Sequence, residues 1–196
     1  MSKNIKKLVV STVLSLTVLT SFAMPQFIGV NSNIAYAANN KETIETFPEQ
    51  YIEEGVYQII SVSSYKNLEV AGSVDENNTH VQIFYSNGTS AQRWKIKKAL
   101  GGWYKIIAEC SANNKCLDAP HTRLPEIIIY DDNAGSNQRW KFFKNSEDGS
   151  YLIASKVSDN LKVLDVRDAK NEDGTIVQLQ NYNGNNAQKW ILVKVG

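Results

Sequence analysis

Gln92-Arg93-Trp94, Gln138-Arg139-Trp140 and Gln188-Lys189-Trp190 repeat one three-residue pattern, with steps of 46 and 50 residues between the tryptophans. A single Gln-x-Trp carries no weight, but its surroundings recur with it. Upstream lie Gly55-x-Tyr57, Gly102-x-Tyr104 and Gly149-x-Tyr151, both tyrosine steps being 47 residues. Between the two landmarks lies a leucine-acid pair: Leu68-Glu69, Leu117-Asp118 and Leu164-Asp165. Self-similarity at a fixed period outranks local signals, because one such unit cannot bury its apolar face alone. Three units on one plan predict a closed threefold fold.

Each repeat holds four short apolar runs. The first covers 57–62, 104–108 and 151–154, and the second 68–71, 116–119 and 163–166. The third covers 81–85, 127–130 and 176–179, and the fourth 94–96, 140–143 and 190–193. β-Branched and aromatic residues fill these runs, and Asn, Gly, Ser and Asp separate them, which is strand-and-turn chemistry. No helical period is sustained after residue 40. The expectation is an all-β chain of twelve strands, four to a repeat.

The triple Gln-x-Trp, together with Leu117-Asp118, Leu164-Asp165 and the Gly-Ser-Asn and Gly-Asn-Asn lead-ins near two of the glutamines, resembles the ricin-type lectin family. The resemblance covers 51–196 and implies a β-trefoil with pseudo-threefold symmetry. Gln-x-Trp itself reads as packing: an indole buries a large area, and a glutamine amide satisfies backbone groups that would otherwise be buried unpaired.

The ends of the chain bound its setting. Lys3, Lys6 and Lys7 precede an uncharged run from Leu8 to Ala23, and Ala35-Tyr36-Ala37 supplies a small-x-small cleavage pattern. This predicts a signal peptide over 1–37, long in the Gram-positive manner, and a secreted product with no membrane insertion after leader removal. The apolar run is shorter than the roughly 20 residues of a membrane span. Residues 38–50 read as a short polar tail. Removing three lysines from 21 bases leaves 18 against 20 acids, a net charge of about −2. Binding to phosphate backbones needs a basic patch, so nucleic acid is not an expected partner. With two histidines, His80 and His121, and no clustered ligand spacing, neither metal nor cofactor is expected.

Cys110 and Cys116 flank five residues in the second repeat, at the ends of adjacent predicted strands. In an exported chain a disulfide is the first reading. Ricin-type repeats often pair a cysteine before Leu-Asp with one after the third strand. Cys116 matches the first position, but Asp132 occupies the second, so a Cys110–Cys116 bridge would depart from the family.

A sugar pocket needs an aromatic face for the apolar side of the ring, a carboxylate for two hydroxyls and an amide that donates and accepts. The resemblance assigns these to the acid after leucine, an aromatic eight residues before the Gln-x-Trp glutamine, and the asparagine just before it. The second repeat fills all three with Asp118, Tyr130 and Asn137, although Ile128 stands where a polar residue is usual. The third keeps Asp165 and Gln178 but has Gln180 and Ala187 at the other places, with Tyr182 and Asn186 nearby. The first has Glu69, Gln82 and Phe84, with Ala91 for the asparagine, and reads as a repeat that lost its pocket. Trp103, whose counterparts are Val56 and Ser150, reads as an exposed aromatic.

The expected function is a secreted carbohydrate-binding lectin without catalysis, its ligands galactose-like or xylan-type glycans as the resemblance suggests. The competing reading is the binding subunit of a bacterial toxin or hydrolase, docking a partner protein through the trefoil. A glycosidase would need paired carboxylates about 5 to 10 Å apart, and the trefoil leaves no length for a second domain. Neither histidine sits in a nucleophile motif.

Overall fold

Strand periodicity follows from which side chains can be buried. In Trp94–Lys98 and Gly55–Ser61 alternate residues point inward, the period-two signature of a strand with one covered face. The computed structural model describes residues 44, 46–121 and 125–196. The predicted leader, 1–37, lies outside them. Twelve strands run through the described residues: β1 (Gly55–Ser61), β2 (Asn67–Val70), β3 (Thr79–Phe84), β4 (Trp94–Lys98), β5 (Tyr104–Ala108), β6 (Cys116–Asp118), β7 (Ile128–Tyr130), β8 (Trp140–Lys144), β9 (Tyr151–Ser155), β10 (Lys162–Val166), β11 (Thr175–Asn181) and β12 (Trp190–Lys194). The architecture is all-β, one twelve-stranded sheet with barrel-like closure.

The closure is legible in the pairings. β1 pairs with β4, β4 with β5, β5 with β8, β8 with β9, β9 with β12, and β12 returns to β1, all antiparallel. A ring removes the exposed edges that invite aggregation. The remaining strands form three hairpins, β2–β3, β6–β7 and β10–β11. β3 pairs with both β7 and β11, while Ile127 N–H donates to Val177 C=O. These hairpins cap one end of the ring.

The three motif tryptophans are fully buried in one cluster with Ile59, Ile83, Ile96, Ile106, Phe142 and Ile153. Each indole N–H donates to the carbonyl of the leucine ahead of the acid: Trp94 to Leu68 at 2.9 Å, Trp140 to Leu117 at 3.0 Å and Trp190 to Leu164 at 3.1 Å. Ring and cap are thus bonded through the very residues that recur in the sequence.

Ile44 and residues 46–50 correct the expectation of a polar tail. Ile44 is buried with Phe143, Leu152, Ala154, Val163 and Tyr182, and Phe47 meets the Tyr182 ring edge-on at 5.6 Å. The cause lies in β8. It meets β5 only at Trp140, so its outer half presents unpaired backbone groups. The segment covers them: Gln50 N–H donates to Phe142 C=O, Lys144 N–H to Pro48 C=O, and Lys141 bonds Glu49. Ile44→Ala should lower stability by about 2 to 4 kcal/mol, read as a fall in the chemical-denaturation midpoint.

Two further expectations change. The Cys110–Cys116 disulfide is not formed, and both cysteines are free. The hairpin register sets Ile107, not Cys110, opposite Cys116, leaving Cys110 past the end of β5 against the core. Burial pushes the Cys116 thiol up to about 12 and raises that of Cys110 as well, so neither is poised to ionise. Trp103 is half-buried rather than exposed, with the Lys141 and Lys156 ammoniums 5.0 and 5.3 Å from its ring centroid.

Candidate functional site

The glutamine of each Gln-x-Trp pins the loop in front of it. Its amide nitrogen donates to the carbonyl seven residues back (Tyr85, Asp131, Asn181), and its oxygen accepts the N–H five residues back (Asn87, Asn133, Asn183). Those three asparagines in turn accept from the N–H two residues on. An asparagine five residues before the glutamine in all three repeats is a signal visible in the sequence and overlooked there. In the second repeat the pinned loop brings Asn137, the residue before the glutamine, onto the acid of the cap hairpin.

In the first repeat the acid is spent. Glu69 accepts from Gln82 on one oxygen at 3.0 Å and from Asn87 and Gln92 on the other at 3.0 and 2.7 Å. Three amides leave a buried carboxylate little capacity for hydroxyl donors, which agrees with reading this repeat as having lost its pocket.

The second repeat brings Asp118, Tyr130 and Asn137 onto one hairpin and its overlying loop. Asn137 donates to Asp118 Oδ2 at 2.6 Å and Gln138 to the same oxygen at 2.9 Å, so the two amides leave Oδ1 to other donors. Asp118 pairs across the hairpin with Ile128, and half-buried Tyr130 pairs with Cys116. Where the other repeats set Gly88 and Gly184 in the left-handed region, this one sets Ala134 at φ 56° and moves its glycine one place on. A Cβ on Gly135 would lie 2.2 Å from Asn137 Oδ1. The strained alanine and displaced glycine together make room for the Asn137 amide.

The third repeat places Asp165 opposite Gln178, which donates to Asp165 Oδ1 at 2.9 Å while Arg167 donates to Gln178 Oε1 at 3.3 Å. A cavity of about 240 Å³ opens over this pair, with Gln180, Asn183 and Asn185 also in its wall. Gln180 is exposed in the place of the stacking ring. Tyr182 faces away from this cavity, into the cluster around Ile44, so it does not stand in for the missing aromatic.

Burial raises the Asp118 carboxyl above the ordinary aspartate range, opposed by the bonds from Asn137 and Gln138 and by the His121 charge. Burial raises Asp165 likewise, opposed by Gln178 and Gln188. Desolvation disfavours the charged form, whereas the amide donors favour it. What the two sites offer chemically is an array of carboxylate and carboxamide groups suited to neutral polyhydroxyl ligands.

Comparison with known proteins fits this geometry. The designed threefold-symmetric protein ThreeFoil superposes with a TM-score of 0.66 at 28% identity, over 72% of this chain and 99% of that one. The exo-beta-1,3-galactanase 1,3Gal43A from Clostridium thermocellum also superposes at 0.66, with 32% identity, over 74% of this chain and 32% of that one. Flavastacin from Elizabethkingia meningoseptica is 38% identical over 71 residues, 36% of this chain and 16% of its own length. The chain therefore spans only a small part of these two larger proteins. The ricin-type beta-trefoil lectin domain matches residues 55–190, and the chain belongs to that family.

Proposed function

We propose that the protein is an exported, non-catalytic lectin, released by a Gram-positive bacterium after removal of 1–37. In this reading its twelve strands divide into three four-strand units about a pseudo-threefold axis. The second and third units bind galactose-type glycans. The observation that carries the reading is the cavity over Asp165 and Gln178, repeated in plan by Asp118, Tyr130 and Asn137 in the second unit. The likeness to part of a galactanase makes β-1,3-linked galactose polymers the first ligands to test, and xylan the second. A glycan array with chain 38–196 tests the proposal. Strong signals on multivalent galactans or xylans are expected, and a blank array rejects it.

A second reading is a targeting module delivering a separate hydrolase or toxin. It is favoured by the fact that the chain matches one portion of the galactanase and of flavastacin rather than the whole. Co-purification of a stable partner from the producing cells would support it.

Binding should depend on pH with a definite sign. Hydroxyls donate to the ionised acids, so binding is complete above the folded-state pKa and falls away as pH drops through it. Because burial raises both Asp118 and Asp165, the loss should begin at higher pH than for a free aspartate, whose pKa is about 3.9. Stability runs the other way. A raised folded-state pKa favours the protonated form, so these two acids contribute less stability as pH climbs from the unfolded value to the folded one. Galactan titrations from pH 7 downward, with parallel melting curves, would separate the two trends.

A further inference from the structure

Three lysines occupy one position in the repeat, three residues before each acid: Lys66, Lys115 and Lys162. Two of them have counter-ions delivered by a neighbouring hairpin. Lys66 bonds Asp173 from the β10–β11 loop. Lys115 bonds Asp131 at 2.6 Å and lies 3.9 Å from Asp75, which comes from the β2–β3 loop.

The third junction breaks this rule. In the other hairpins the acid and its cross-strand partner are thirteen residues apart, Glu69 to Gln82 and Asp165 to Gln178. In β6–β7 the interval from Asp118 to Ile128 is ten residues. The acid of this shorter loop, Glu126, is already bonded to Arg167 at 2.6 Å and His80 at 3.4 Å. The place of Asp131 is held in the third repeat by Asn181, a neutral amide. Lys162 is half-buried, and among the described residues its ammonium makes no ion pair. Where the missing acid would reach, the structure instead has a cavity of about 470 Å³. Pro120, Leu161 and Leu179 form its apolar wall, and His121, Lys162 and Asn181 its polar one.

We propose that this cavity is a further binding site, separate from the pocket over Asp165, and that it takes a carboxylate-bearing sugar residue. The ligand carboxylate supplies the counter-charge Lys162 lacks, and the Asn181 amide and His121 ring bond hydroxyls. The apolar wall receives the C–H face of the ring. The volume falls within the range of small-molecule sites, which combine apolar walls with a few convergent polar groups. A charge-assisted bond to an ammonium is among the stronger polar contacts. That the occupant is a sugar rests on the lectin reading; that it is an anion does not.

The test uses NMR titration of chain 38–196 with sodium glucuronate, N-acetylneuraminate, methyl galactoside and N-acetylglutamate, following His121. Glucuronate or N-acetylneuraminate should shift the His121 resonances, and Lys162→Gln should weaken that binding about tenfold or more. The same variant should keep its melting temperature and its galactoside affinity, whereas Asp118→Ala combined with Asp165→Ala should lose galactoside and keep the acidic sugar. If galactoside fails to bind but glucuronate binds in a Lys162-dependent way, the lectin assignment of the Asp165 pocket falls and this site stands. N-acetylglutamate binding as tightly as the sugars would overturn the sugar assignment. Acidic sugars that leave His121 unmoved, or bind Lys162→Gln like the parent, would overturn the site itself.

Discussion

Trp140→Ala should be the most damaging single substitution in the chain, lowering stability by about 3 to 5 kcal/mol. The ring is fully buried and packs where the six-stranded ring meets the cap. Its removal opens a cavity and also orphans Leu117 C=O, which accepts the indole N–H at 3.0 Å. An unpaired buried carbonyl adds about 1 to 3 kcal/mol in sites that water cannot reach. Domains of this size are stable by only about 5 to 15 kcal/mol, so the variant should unfold at much lower urea and be recovered poorly. Trp103→Ala is the control. That ring is half-buried and held by Lys141 and Lys156, so the cost should be near 1 kcal/mol. Equal urea midpoints for the two variants would contradict the placement of Trp140 at the junction of ring and cap.

What was legible in the sequence is what recurs. The tryptophans, the leucine carbonyls they bond and the glutamines that pin the loops return at a nearly constant interval, so residues far apart in the chain can be matched before any contact is known. The same comparison gave the cap hairpins their acids, Glu69, Asp118 and Asp165, and these are the residues that Gln92, Gln138 and Gln188 of the overlying loops reach. Features that occur once were not legible. Ile44 and Phe47 are isolated apolar residues in a polar stretch, without a period, and their burial follows from an incomplete pairing of β8 far along the chain. Cys110 and Cys116 are spaced for a hairpin, but strand register decides which residues face each other, and it chose Ile107. Trp103 is enclosed by lysines that follow it by 38 and 53 residues, a tertiary coincidence that no local pattern announces. That Lys162 has no ion pair among the described residues became apparent only when its two counterparts could be seen with their carboxylates.

Asp118→Ala combined with Asp165→Ala should reduce binding to multivalent glycans to background. A single shallow sugar site has a dissociation constant near millimolar, about −4 kcal/mol, and useful affinity then depends on two sites engaging one branched or repeating ligand. Losing either acid should lower the avidity for a polymeric galactan about a hundredfold while changing the affinity for free monosaccharide only about twofold, since one of two weak sites survives. Tyr130→Ala asks which site dominates. The side chain is half-buried on β7, across from Cys116, and lies outside the core cluster that holds Trp140. Removing it should abolish binding at the second repeat with little change in melting temperature, whereas Asp165→Ala alone should leave a weaker residual signal. Isothermal titration against a soluble galactan and against methyl galactoside, alongside melting curves for each variant, separates loss of a site from loss of the fold. If the double variant binds the polymer like the parent protein, neither acid lies in a sugar site, and the cavity beside Lys162 becomes the place to look.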